Sequence, residues 1–554
     1  MRFFLGILVL SLFNPIVEAS EAFGKPGLTP NWSSAKKVQV GTFYEPYQQK
    51  IQSPLWFTAV DGVLSEVFYP HIDRPQLKDS QILIVGGQSR GYWQERTHLL
   101  HEVHMVSPSM VRLVNREVNG RFALSHTFFT LKDQPILIDE VEFIAYEDDL
   151  ELFLLVNPHL NNSGFYDNGF VSPDSLIFTE GKTRLEVNTD VGFKKLSVGF
   201  VGHSDGHQDL VLDKKMDFQF DRASNGNIAG TGLINIPAKK GRYKFNIIYN
   251  FSGSNYSGNK FTLAQAKNDY LQSWNNYFRQ LKVPSGLTQQ EKQLYWRSIY
   301  TIKTHEDKLN PGSMAASLSK PWGELTKDDG QTFSGGYHLT WPRDVSHKAM
   351  ALLHSGDYQT PYQVLKFLSR IQYKSGIWFY GPRVIPKIGA FPQNVWTSGN
   401  EYWSGFQIDQ VGYPIGLFYH FYKNLPDNKK SFFLNEFKLM VYLAAEFIYQ
   451  YGPWSAQERW EENFGISPSS FAVATAGLKM ASEILNDPKY AQRAQSWLEK
   501  PNDNIHTWTF TQTGLYGDGK YYLRVAGCES YSAIWNPDSN QYCHIANSSM
   551  KKNQ

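Results

Sequence analysis

Cysteine is nearly absent: the 554 residues hold two, Cys528 and Cys543, so at most one disulfide can form within the chain. Charge of one sign is lacking too. The 54 basic and 52 acidic residues leave a net charge of +2 with no long single-sign run, which gives no footprint for nucleic acid or another polyanion. Neither a His-Glu-x-x-His pair, a phosphate-binding glycine loop nor a Gly-x-Ser-x-Gly elbow is present, so metalloprotease, nucleotide-enzyme and serine-hydrolase readings have no support. Past the amino terminus no segment approaches the roughly 20 apolar residues of a membrane span.

What is there points to a folded protein of more than one domain. Hydrophobic residues make up 42% and charged residues 19% of the chain, a globular composition, and the length exceeds what one ordinary core holds. Aromatics reach 15%, with 15 Trp and 31 Tyr. Their apolar faces and polar tips suit the CH faces and hydroxyl rims of sugars, although large cores also use them.

Met1-Arg2, the mostly apolar stretch Phe3 to Val17 and the ending Glu18-Ala19-Ser20 have the layout of a secretory signal, with cleavage expected after Ala19. A secreted or periplasmic mature protein follows, soluble outside the cytoplasm. There Cys528 and Cys543 could pair, closing a loop worth about 3 kcal/mol in the chain-entropy model, or stay free. Asn31, Asn161, Asn250, Asn255 and Asn547 begin Asn-x-Ser sequons, of consequence only in a glycosylating host.

From about Lys25 to Gly258, short β-branched and aromatic runs such as Ile82 to Val85, Leu152 to Val156 and Tyr243 to Tyr249 alternate with Gly, Asn, Asp and Pro clusters. This reads as an antiparallel β-sandwich over 20–260. After Phe261, Leu263, Ala266, Tyr270, Trp274, Tyr277 and Leu281 recur at helical spacing, which predicts a connecting helix over 261–285. A helical domain over 286–554 follows, with helices near 289–305, 343–353, 361–371, 407–422, 432–451, 468–485 and 487–498. A long aromatic loop over 376–404 reads as the rim of a cleft.

Three places could carry chemistry. His98, His101 and His104 lie three apart, but Thr97 to Val106 reads as a strand, where that step alternates faces and scatters them; no metal site and no cofactor is predicted, and calcium support for the fold is left open. Glu458-Arg459-Trp460-Glu461-Glu462-Asn463 precedes a helix, and a carboxyl beside an indole and a like charge has surroundings that favour a protonated acid. A solvated charge pair is the plainer reading of such a segment. In Tyr337-His338-Leu339-Thr340-Trp341-Pro342-Arg343-Asp344, the arginine fork and the carboxylate can bond sugar hydroxyls while Tyr337 and Trp341 offer flat faces; a helix-entrance ion pair is the alternative.

Taken together these stretches resemble the bacterial-type glucoamylases of glycoside hydrolase family fifteen, along most of the mature chain. The resemblance rests on Asp61 to Pro70, Ile72-Asp73-Arg74-Pro75, Pro321-Trp322-Gly323, Tyr337 to Asp344, Gln393-Asn394 with Trp396, and Gln407-Ile408-Asp409, where Gln410 replaces the more usual acidic residue. It implies an N-terminal β super-sandwich followed by an (α/α)6 barrel of six inner and six outer helices. It further implies Glu461 as general acid, Glu462 as a neighbouring binder, Arg343 and Asp344 as a grip on the terminal glucose, and Tyr337, Trp341, Trp396 and Trp460 as walls of the first subsites. The implied reaction is inverting hydrolysis of terminal α-glucosidic bonds, with α-glucan or maltooligosaccharide as substrate; glucodextranase and trehalase are related specificities.

The family's general base sits in a later His-Ala-Glu-Tyr-like motif that has no counterpart here, and about seven barrel helices can be counted. The sequence reading therefore expects an incomplete barrel, truncated at its carboxyl terminus, with weak or no hydrolysis by this chain alone. A non-catalytic exported α-glucan-binding protein is the alternative, and a phosphate-using relative ranks below both.

Overall fold

The computed structural model describes residues 19–32, 36–47, 50–254, 256, 260–318, 337–381, 383–514 and 516–526. The expected signal segment up to Glu18, both cysteines, Asn255, Asn547 and Pro321-Trp322-Gly323 lie outside them. In the first half, two antiparallel sheets of eight and nine strands among the described residues pack face to face.

The run Ile82 to Val85 lies in the strand Pro75–Gly86, paired with Leu150–Pro158. Side chains alternate across a sheet, so Ile82 and Ile84 enter the inter-sheet core with Leu152, Leu154, Leu124, Val141 and Phe245. Leu83 and Val85 point the other way, joining Phe153 and Leu155 under Leu210 and Met216. Leu210 belongs to the helix Gly206–Asp213, whose amino end is capped by the Asp205 carboxylate accepting from the His207 and Gln208 amides. Both faces are covered, which is why no polar alternation survives in these strands.

One ionic cluster is buried in this sandwich. His126 is 2% exposed; its Nδ1 lies 2.8 Å from Asp139 Oδ2 and its Nε2 2.6 Å from Glu95 Oε1. Burial opposes a charge on the ring, but the two carboxylates outweigh it and hold His126 well above the ordinary imidazole range. A group raised by folding contributes its stability in full below its unfolded value of about 6.5 and loses it as pH climbs through the folded value. The urea midpoint is expected to fall as pH rises from 6 to 9, with a slope that disappears in His126→Gln.

The three spaced histidines part company: His98 Nδ1 accepts from the Gln94 amide, His101 Nδ1 faces Asn115 Oδ1 and His104 Nε2 faces Glu102. The segment is not strand throughout. Thr97 and His98 close the short helix Glu95–His98, and the strand runs Leu100–Ser107.

The helix Lys260–Phe278 leads into the second half, burying Leu263, Tyr270, Trp274 and Tyr277. Trp274 Nε1 donates to Thr42 O at 2.8 Å, and the Tyr270 and Tyr300 hydroxyls meet at 2.8 Å, so the polar tips of this aromatic cluster are satisfied. Gln289–Thr304, Pro342–His354, Gln359–Ile371, Asp409–Asn424, Asp427–Tyr451, Pro468–Leu485 and Pro488–Glu499 follow. Asp409–Asn424 and Pro468–Leu485 cross at glycines: a Cβ on Gly412 would lie 2.7 Å from Val473, and one on Gly477 3.3 Å from Gly412 Cα. That close crossing sets the position of Asp409 at its helix start.

Two expectations are corrected. The helix expected from Phe432 begins at Asp427, because its first turn is polar and exposed and shows no apolar period. The long loop contains two small hairpins, Ile377–Tyr380 with Arg383–Pro386 and Asn394–Val395 with Glu401–Trp403. The two halves share a small core in which Val40, Trp56, Phe68 and Ile72 of the sandwich meet Ala315 and Leu318.

Candidate active site

The segment 455–465 is a closed loop. Ser455 and Gly465 exchange backbone hydrogen bonds at its neck, 2.9 and 2.8 Å. Inside it, Glu458 is 1% exposed, and its carboxylate accepts from the Trp460 amide at 2.9 Å and from Arg524 Nη2 at 2.6 Å. The Glu461 amide donates to Glu458 O at 2.8 Å, closing a turn that puts Glu461 at φ +65°. This left-handed conformation is uncommon for a residue with a long side chain. It turns Glu461 away from its neighbours.

Glu461 points at the start of the helix Pro342–His354. Trp341 Nε1 donates to its Oε1 at 2.7 Å, Gln407 Nε2 donates to the same oxygen at 3.1 Å, and Arg343 Nη2 stands 3.8 Å from it. No donor among the described residues reaches Oε2. One oxygen is therefore fixed and the other left open to a ligand.

Arg343 organises the floor. Its Nη1 donates to Gln407 Oε1 at 2.8 Å and to Asp409 Oδ2 at 3.2 Å, and its Nε lies 3.4 Å from Asp344 Oδ2. Burial raises the Asp409 carboxyl while the guanidinium pulls it back down. Asp344 Oδ2 is buried against that guanidinium, while 37% of the Asp344 side chain remains accessible. Lys348, one turn further along, donates to Ala316 O at 2.8 Å and also to Ala315 O. Burial lowers its ammonium to about 8, against the opposing pull of Asp344.

Gln410 occupies the position where the family resemblance leads one to expect an acid. It is fully buried, accepting from the Arg343 amide at 3.1 Å and donating to Gln393 O at 2.8 Å and Gln407 Oε1 at 2.9 Å. A carboxylate could not make the last two bonds, so the side chain is scaffold and does not face a ligand.

The structure thus brings Trp341, Arg343, Asp344 and Glu461 into one cluster, with Tyr337 edge-on to Trp341 at 5.9 Å. Trp396 adjoins it through the backbone, because Val395 pairs with Thr340, the residue before Trp341. The other two residues go elsewhere. Trp460 is 62% exposed beneath the Arg459 guanidinium, and Glu462 Oε2 accepts from Arg524 at 2.8 Å. Glu461 and Glu462 thus have different partners, and the indole that binds Glu461 is that of Trp341.

Gln407, Asp409, Glu458 and Arg524 are participants that the motifs alone did not assign. Glu458 stood in the same acidic run, and its place two residues before Trp460 was the available signal. Two interdomain cavities, about 340 and 360 Å³, are lined by Tyr44, Tyr47 and Lys303 and not by Glu461. Lys303 is engaged there by Thr360, Tyr47 and Glu306.

Comparison with known proteins gives this cluster its class. Residues 22–281 match the model described as glucodextranase, domain N, and residues 289–374 and 389–544 match glycosyl hydrolases family 15. A glucoamylase of Clostridium sp. (strain G0005) is 32% identical over 526 residues, covering 91% of this chain and 69% of that protein. The crystal structure of a bacterial glucoamylase complexed with acarbose is 31% identical, with a TM-score of 0.79 over 92% of this chain and 73% of that one. A β-sandwich joined to a helical domain with this likeness is a glycoside hydrolase. The chain belongs to glycosyl hydrolase family 15 and is glucoamylase-like, its second domain of the (α/α)6 type.

Proposed function

We propose that this chain is an exported, exo-acting hydrolase that removes glucose from α-glucan ends by inversion. The observation that carries the reading is the asymmetric hold on Glu461: Oε1 is bound by Trp341 and Gln407, and Oε2 is free to deliver a proton. In the step proposed, the Oε2 proton passes to the glycosidic oxygen as the bond from the anomeric carbon to that oxygen breaks. Water adds to the opposite face; inverting enzymes take up its proton on a second carboxylate about 6.5–9.5 Å from the acid, and without one the proton passes to solvent and turnover is expected to be weak. The resemblance assigns that base to no residue of this chain.

Arg343 and Asp344 are proposed to hold the hydroxyls of the terminal glucose, and Tyr337, Trp341 and Trp396 to form its apolar walls. Glu462 and Trp460 are proposed to serve beyond the first sugar. The test is incubation of the mature chain with maltotetraose, following glucose and its anomer by NMR. Release of β-glucose supports the proposal; α-glucose overturns inversion. Maltotetraose bound but uncleaved replaces the hydrolase with a glucan-binding protein.

The Trp341 contact makes a separate prediction. Trp341→Phe keeps the aromatic character and removes the donor to Glu461, and loss of a hydrogen bond to the carboxylate that forms as the proton leaves is expected to reduce turnover about 10- to 100-fold. Steady-state kinetics should show the loss in kcat with little change in KM.

A further inference from the structure

The motif Ile72-Asp73-Arg74-Pro75 belongs to the sandwich, yet its side chains reach the second domain. The loop turns tightly, with the Tyr69 amide donating to Arg74 O and the Arg74 amide to His71 O, both at 3.0 Å. The second domain grips it where Asp307, fully buried, accepts from the Ile72 amide at 3.0 Å. The loop grips back. Asp73, 3% exposed, accepts from the Thr397 amide at 2.8 Å and the Thr397 hydroxyl at 2.7 Å.

Thr397 follows Trp396, and the Arg74 guanidinium lies over the Trp396 ring, 5.5 Å from its centroid. Tyr402 meets the same ring edge-on at 5.5 Å. On the other side of Trp396, Val395 exchanges backbone hydrogen bonds of 2.9 and 3.0 Å with Thr340, next to the tryptophan that binds Glu461. A continuous path of direct bonds therefore runs from a sandwich loop to the wall of the candidate active site.

We propose that the Tyr69–Arg74 loop is a positioning element of the glucan cleft: Asp73 fixes the backbone at Thr397 and Arg74 fixes the Trp396 indole, so that the sandwich sets how the second domain binds glucan. The glucan part of this rests on the proposed function; the coupling of loop to wall does not. Asp73 and Arg74 are positioning residues, acting on substrate only through Trp396 and Thr397.

Two readouts on the full mature chain test it: hydrogen–deuterium exchange across 394–400 and calorimetric titration with maltotetraose. Asp73→Ala is expected to speed exchange in 394–400 about 10-fold while 136–145 is unchanged, and to weaken maltotetraose about 5- to 20-fold. Arg74 is half-exposed, with 53% of its side chain accessible, so Arg74→Ala should fold even if Asp73→Ala does not. It is expected to weaken binding about 3- to 5-fold, Arg74→Lys restoring part of the loss, and to add nothing in a Trp396→Ala background.

Unchanged exchange in Asp73→Ala, or full additivity of Arg74→Ala with Trp396→Ala, overturns the coupling. A loosened segment with unaltered affinity overturns the role in binding. A wild-type chain that binds no maltotetraose overturns the proposed function instead, and the exchange result still decides whether the loop holds the wall.

Discussion

In Glu461→Gln, whatever glucose the chain releases from maltotetraose is expected to fall by about two to four orders of magnitude, the usual contribution of a positioned general acid. The substitution is close to isosteric. The amide oxygen can still accept from Trp341 and Gln407, the two donors that hold Oε1, so the loop and the floor stay in place. What disappears is the transferable proton on the other atom. Maltotetraose affinity should stay within about threefold, because an interaction made only in the transition state changes kcat and not binding. Single-turnover glucose release beside calorimetric titration separates the two effects. Undiminished release in the variant would mean that the acid is another carboxyl, and the proposed assignment of Glu461 would fall.

Arg343→Ala is expected to have the largest effect on stability. The guanidinium, whose side chain is 16% exposed, is the cation beside Asp409, of which 2% is accessible. Removing one partner of such a pair strands a buried charge and typically costs about 3–5 kcal/mol. The loss should also depend on pH. Burial already raises the Asp409 carboxyl and Arg343 opposes the rise, so in the variant burial acts unopposed. A carboxyl raised on folding destabilises the native state when pH is above its folded value and ceases to do so once it is protonated. The difference in urea midpoint between wild type and variant is therefore expected to be largest near neutrality and to shrink as pH falls into the carboxylate range. Arg343→Lys should recover little, since one ammonium cannot serve Gln407, Asp409 and Asp344 together. A variant as stable as wild type at pH 7 would show that Asp409 finds another donor.

The parts legible in the sequence are those fixed by local rules. Leu263, Tyr270, Trp274 and Tyr277 recur at helical spacing because one stripe of the helix Lys260–Phe278 is buried, and any window over them shows it. The hidden parts depend on contacts between distant segments. Ile82 to Val85 reads as a buried strand, but nothing in four consecutive apolar residues says that alternate ones belong to different cores. Strands of two to four residues, as in the hairpins within 376–404, are too short to establish a period. At the candidate site, the motif pointed to Glu461, whereas the divergence of Glu462 was hidden, because it is the distant Arg524 that holds the Glu462 carboxylate. The role of Gln410 was likewise invisible until its amide was seen donating to Gln393 and Gln407.

That turn carries a consequence for how such a chain changes over generations. Glu461 sits at φ +65°, a conformation in which glycine avoids a penalty of about 1–2 kcal/mol borne by most other residues. Fold maintenance and the bond cleavage proposed for Glu461 thus favour different amino acids at the same position. A lineage released from any demand to process glucan, or a library screened for heat resistance alone, would drift there toward glycine or asparagine. Glycine there is therefore expected to raise thermal stability while removing the acid proposed for the reaction.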